Sequence, residues 1–246
     1  MANSGSVGVI TDLENWLTDN IGTSGADGIK WVNSSDGGDT AFARAAATAN
    51  LPLHVAGATA ATNNNLIELC SDLLHVYGQN GWHMLEVLFK IDVATDIAIN
   101  IGFNDDSLDA GNTLPVELST ATWTTTASTF VGLAFDVNAT NDDWHCMWTD
   151  DDSDTSEALA DLRLKGASLT AAKWCMARVE LQDRGSGKGL RATFTISQDG
   201  KSFEKVFDTS VDRDVALCPY IGFEARATTA HNVYIAYVKQ AWSIPD

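Results

Sequence analysis

The stretch Ile97-Ala98-Ile99-Asn100-Ile101-Gly102-Phe103 decides the fold. Large apolar residues hold every odd position, while Ala, Asn and Gly fill the even ones. Successive side chains of a strand point to opposite faces, so this period of two buries one face in a core. A helix would scatter the same four residues around its surface.

The pattern repeats on both sides. Leu85, Val87, Phe89 and Ile91 precede it; Val131, Leu133, Phe135 and Val137 follow, then Cys175, Ala177, Val179 and Leu181. Leu190, Ala192, Phe194 and Ile196 lead into Asp199-Gly200, the strongest hairpin signal in the chain, and Phe203 and Phe207 continue beyond it. Residues 217–224 and 232–242 read as the last two strands. Roughly ten strands joined by Gly-, Asn- and Asp-rich turns, with no convincing helix among them, predict an all-β sandwich. The longest irregular connection, residues 104–128, is polar and Thr-rich. It is expected to wrap a sheet edge, or to form a lid or contact loop.

Residues 1–50 read differently: they are rich in Gly, Ser, Asn and Ala and show little alternation. Thr11 with Glu14 has capping-box spacing, and Leu13, Trp16 and Leu17 share one face after it, which predicts a short helix ended by Gly22. Residues 41–49 are a weaker helix candidate, stopped by Pro52. The predicted division is an extension over 1–50 and a single β domain over 51–246. Ile10, Leu13, Trp16 and Leu17 are the candidate partner-binding residues of that arm, which either docks on another protein or folds back on its own β domain.

The net charge is −18, and it is unevenly spread: residues 91–162 hold fifteen Asp and Glu and no Lys or Arg. Such a surface repels phosphate backbones, so nucleic-acid binding is disfavoured. The acids either solvate loops or hold cations. No run of apolar residues is long enough for a membrane-spanning helix, and residues 1–5 lack the features of a signal peptide, so synthesis and retention in the cytoplasm, or exit by a non-secretory route, is expected. Cys70, Cys146, Cys175 and Cys218 lie far apart without Cys-x-x-Cys spacing, which predicts buried thiols rather than zinc.

The strand order from Trp82-His83-Met84 through Trp174-Cys175-Met176-Ala177-Arg178-Val179-Glu180 to Pro219-Tyr220-Ile221-Gly222-Phe223 and Val233-Tyr234-Ile235-Ala236-Tyr237-Val238 resembles the concanavalin A-like lectin/glucanase jelly roll, over about residues 64–243. The whole chain also resembles small virion structural proteins of marine tailed bacteriophages. Residues 101–115, opening Ile101-Gly102-Phe103-Asn104-Asp105-Asp106, and 206–217, opening Val206-Phe207-Asp208-Thr209-Ser210-Val211, carry that second similarity. It implies a protein that decorates or cements a capsid, or forms a head appendage. Its partners would be the major capsid protein or other virion subunits, it would assemble as a homo-oligomer, and it would be made in the host cytoplasm and sit on the virion surface. The alternative is a tail or fibre module that recognises host surface glycans.

Catalytic chemistry finds little support. Glycosidases need two carboxyl groups flanking one bond, yet Glu86 is the only acid within the strand from Trp82 to Ile91. No enzyme activity, cofactor or metal site is therefore expected. The five histidines lack metal-ligand spacing; His75 and His83 flank the Gly78-Gln79-Asn80-Gly81 turn as a structural pair. The loop Asn104-Asp105-Asp106-Ser107-Leu108-Asp109-Ala110-Gly111 offers oxygen ligands for calcium but fails the EF-hand rule, with Ala110 at the turn glycine and Val116 at the bidentate Glu. Gly185-Ser186-Gly187-Lys188-Gly189 lacks the order of a phosphate loop and reads as a hairpin turn. Trp144 and Trp148, alternating with Cys146 among acids, are the candidate glycan contacts, with inter-sheet core as the competing reading.

Overall fold

The computed structural model describes residues 9–17, 21–22, 30–49, 51–71, 75–76, 81–106, 113–119, 122–151 and 162–243. The strands in chain order are β1 (Val9–Glu14), β2 (Ile21–Gly22), β3 (Trp31–Ser35), β4 (Thr40–Ala45), β5 (His54–Ala58), β6 (Leu66–Ser71), β7 (His75–Val76), β8 (Trp82–Ile91) and β9 (Ile97–Asn104). They continue with β10 (Val116–Ser119), β11 (Thr122–Thr125), β12 (Phe130–Asp136), β13 (His145–Thr149), β14 (Cys175–Asp183), β15 (Leu190–Gln198), β16 (Lys201–Asp208), β17 (Ala216–Ala225) and β18 (Asn232–Ser243). The first sheet runs β16-β15-β14-β8-β18-β5-β4, with β1 beside the C-terminal half of β18. The second runs β13-β12-β9-β17-β6-β3-β2, with β7 beside β17.

The alternating residues meet between the sheets. Phe89 of the first sheet packs edge-on against Phe223 of the second at 5.6 Å between ring centroids, and against Trp144 at 6.1 Å. Ile97, Ile99, Ile101 and Phe103 are fully buried. Each such side chain contributes roughly 1.5–3 kcal/mol on burial, which is why register is firmly set: a slip of one residue would turn every one of them outward. At the Asp199-Gly200 turn both residues take positive φ, 52° and 74°, and Gln198 pairs Lys201, the two-residue hairpin the sequence predicts.

The N-terminal expectations are corrected. Residues 9–14 form strand β1, paired antiparallel to β18 from Val9↔Ser243 to Glu14↔Val238, and not a helix. β-branched Val9, Ile10 and Thr11 suit a strand, and the Glu14 carboxylate accepts the Trp16 N–H at 2.8 Å instead of serving a helix cap. Trp16 itself has φ 61°, outside the helical region. Its ring is fully buried 6.3 Å from that of Trp31, so it ties β1 of one sheet to β3 of the other. The second helix candidate is strand β4, paired to β5 across residue 50. Strands from the first fifty residues thus lie in both sheets.

The connection at 104–128 holds a two-stranded ribbon, β10–β11, laid over the outer face of the second sheet. The even-numbered residues of β9 and β12 point to that face. Asn100 Oδ1 accepts the Val116 N–H at 2.8 Å, so a side chain stands in for a neighbouring strand. Leu114, Val116 and Leu118 are buried beneath the ribbon. A Cβ at Gly222 would lie 2.7 Å from Leu114, so the close approach requires glycine. Most of the calcium-candidate loop (107–111), most of the 78–81 turn and residues 152–161 of the acidic run lie outside the described residues.

Candidate ligand face of the first sheet

Strand alternation that buries Leu85, Val87 and Phe89 sends Glu86, Leu88 and Lys90 to the outer face of the first sheet; on β14 it sends out Arg178 and Glu180. On β18 a register shift between Ile235 and Tyr237 changes the parity of the strand. Tyr234 points outward before the shift, and Tyr237 and Lys239 point outward after it, opposite Leu88 and Glu86. The bulge therefore places two tyrosines and a lysine on one face, where unbroken alternation would turn Tyr237 and Lys239 into the core.

These groups interlock. Tyr237 Oη donates to Glu86 Oε1 at 2.9 Å, and burial together with that carboxylate pushes the phenol up to about 12. Arg178 pairs with Glu180 and approaches Glu86 at 3.9 Å, while Trp82 Nε1 donates to Glu180 at 3.2 Å. Lys90 Nζ sits 4.9 Å from the Tyr234 ring and 5.4 Å from that of Trp174. Trp82, Trp174, Tyr234 and Tyr237 are all half-buried, each with part of its ring in solvent.

A groove of about 670 Å³ opens on this face between β1, β8, β18 and the Pro52–Leu53 turn. Leu13, Leu17, Leu53 and Leu88 form its apolar walls, and Glu86, Tyr237 and Lys239 its polar side. Leu13 is 54% exposed and Leu17 66% exposed. The four arm residues are thus separated: Leu13 and Leu17 line the groove, Ile10 is exposed outside it, and Trp16 is in the core.

Trp144 and Trp148 point between the sheets. Trp144 packs 5.5 Å from Phe135, and Trp148, 5% exposed, lies 5.3 Å from Phe207. Neither offers a free ring face. Glu86 and Glu180 lie on adjacent strands and share Arg178, a juxtaposition that a search within single strands misses. Among the described residues no group of three or more His, Cys, Asp or Glu could hold a metal ion. The four cysteines are buried thiols; burial pushes Cys175 up to about 12 and Cys146 higher still. No described helix is long and apolar enough to cross a membrane.

No family model and no curated protein matches the chain. Solved structures do resemble it. A protein of unknown function from Shewanella oneidensis MR-1 superposes with a TM-score of 0.61 at 10% identity, covering 100% of this chain and 91% of that one. Peanut lectin, in a complex with a nine-residue peptide, gives 0.60 at 11% identity over 96% and 98%. The potassium-bound carbohydrate recognition domain of Emp46p gives 0.55 at 8% identity over 86% and 88%. At these identities the likeness is one of fold, and that fold is the concanavalin A-like two-sheet jelly roll.

Proposed function

We propose that the chain is a non-enzymatic carbohydrate-binding module whose ligand face is the outer surface of the first sheet. The observation that carries this reading is the groove beside Tyr237, where a half-exposed ring and Leu88 adjoin Glu86 and Lys239. A pyranose has apolar C–H faces that stack on aromatic rings and hydroxyls that need fixed polar partners, and such mixed pockets are how proteins hold small polar ligands. Several fold neighbours are lectins, one of them, UEA-II, in complex with galactose, which agrees with this reading. Both carboxylates on the face are engaged by Arg178, an arrangement suited to holding hydroxyls rather than to proton transfer at a glycosidic bond.

The resemblance to phage structural proteins supplies the setting we propose: a homo-oligomeric virion component, displayed on a head, tail or fibre, that meets host surface glycans. Glycan-array binding tests the activity. The wild-type chain is expected to bind a defined set of glycans, and Tyr237→Ala to weaken that binding at least tenfold, about 1.4 kcal/mol, with folding intact. Absence of glycan binding by the wild type, or full binding by the variant, would overturn the assignment.

A further inference from the structure

The outer face of the first sheet reaches well beyond the groove. Tyr237 of β18 pairs with Leu88 of β8, Leu88 with Met176 of β14, Met176 with Ser197 of β15, and Ser197 with Ser202 of β16. Residues directly opposite one another on antiparallel strands point to the same face, so these side chains form one row that crosses the strands. At the usual strand spacing its ends lie about 19 Å apart. The neighbours Val87, Phe89, Ala177 and Ile196 are buried in the core, whereas Leu88, Met176 and Ser197 are half-buried and Ser202 is exposed.

The far end of the row has a cavity of its own. A cleft of about 340 Å³ opens there, walled by Trp174, the Asp199-Gly200 turn, Lys201 and the two serines. The half-buried Trp174 ring carries the Lys90 ammonium at 5.4 Å. Ser197 Oγ donates to Ser202 Oγ at 2.9 Å, which leaves the Ser202 hydroxyl hydrogen for a ligand. Groove and cleft thus repeat one arrangement, an aromatic ring beside polar groups. Between them the floor is apolar, formed by Leu88 and Met176. Lys90 flanks that floor on one side, and the paired Glu86 and Arg178 flank it on the other.

We propose, resting on the reading of this face as a carbohydrate site, that its ligand is a linear glycan chain. The chain lies across the strands from the Tyr237 groove to the Trp174 cleft; a single terminal sugar would fill only one end. The row is several pyranoses long, and each unit of a chain offers a C–H face to the apolar floor and hydroxyls to the polar flanks. A chain that reaches both ends also turns the second contact into an intramolecular one, so it binds more tightly than a piece that fills either end alone.

Titration of the full chain with chito-, cello-, laminari- and malto-oligosaccharides, each from monosaccharide to hexasaccharide, tests this. In a series that binds, affinity is expected to rise at least about tenfold from disaccharide to hexasaccharide. Trp174→Ala, and independently the double change Ser197→Ala with Ser202→Ala, should bring the hexasaccharide down to the disaccharide level and leave disaccharide binding unchanged. Tyr237→Ala should weaken both. Equal affinity along the series, or a length dependence that survives in both cleft variants, would overturn the extended site while leaving the groove in place. Binding to no member of any series would overturn it as well, and a glycan array that is also blank would take the carbohydrate reading with it. Self-association that Trp174→Ala abolishes, with no sugar bound, would give the face to a second copy of the chain.

Discussion

Trp16 shows how a correct local signal leads to a wrong structure. Thr11, Glu14 and the apolar residues after them match a helix start, and the backbone and apolar partners that decide otherwise lie outside the segment: β18 for the backbone, Trp31 for the ring. Trp16→Ala should cost about 3–5 kcal/mol, as large-to-small core changes do, whereas Leu17→Ala, on an exposed side chain, should stay within about 0.5 kcal/mol. Urea unfolding of the two variants checks the contrast; equal, small losses would show that Trp16 is a surface residue. Tyr237 is the reverse case. Its neighbours were read as strand, but its outward direction depends on the Ile235/Tyr237 register shift, and nothing in the residue types marks a bulge there. Trp144 and Trp148 have acidic neighbours, yet alternation with Cys146 is the more telling feature: Cys146 and Trp148 are buried on β13, and Trp144 just before it is fully buried.

At the scale of elements, strands with a large apolar residue at every second position were legible, because burial on one face imposes that pattern wherever it occurs. β3 and β4 were not: Trp31-Val32-Asn33-Ser34-Ser35 and Thr40-Ala41-Phe42-Ala43-Arg44-Ala45 carry few large side chains and are strands because β6 and β5 supply hydrogen-bond partners. The consequence concerns the division at residue 50. A chain beginning at Pro52 loses β1, β2, β3 and β4 and exposes the edges of β5, β6 and β18 along with the pocket left by Trp16, Trp31 and Phe42. It is expected to melt at a markedly lower temperature or without cooperativity; a melting curve matching that of the full chain would support a separable arm over the first fifty residues. The parity change on β18 makes a sharper prediction. Deleting Ala236 should preserve ligand binding, because Ile235 and Tyr237 pair consecutive residues of β8 and removing the extra residue between them leaves Tyr237 and Lys239 facing outward; loss of binding in the folded variant would contradict this reading of the bulge.

For the molecule as a whole, the −18 charge is not carried by the ligand face, where Lys90, Arg178 and Lys239 offset Glu86 and Glu180. Binding of an uncharged glycan there should change less than about threefold between low and physiological salt, since the cations and anions of the face nearly balance and the glycan carries no charge to be screened. Polysaccharides that bind should release no reducing ends on incubation; release that vanishes in Glu86→Gln would make the face an active site. The most direct measurement of the central claim is amide chemical-shift mapping of the isotope-labelled chain titrated with a glycan identified on the array. Shifts concentrated on β8, β14, β18 and β1, with Glu86, Leu88, Tyr237 and Lys239 among the largest, are the predicted result. Shifts confined to the β10–β11 ribbon and the strands of the second sheet, with the first sheet silent, would contradict it.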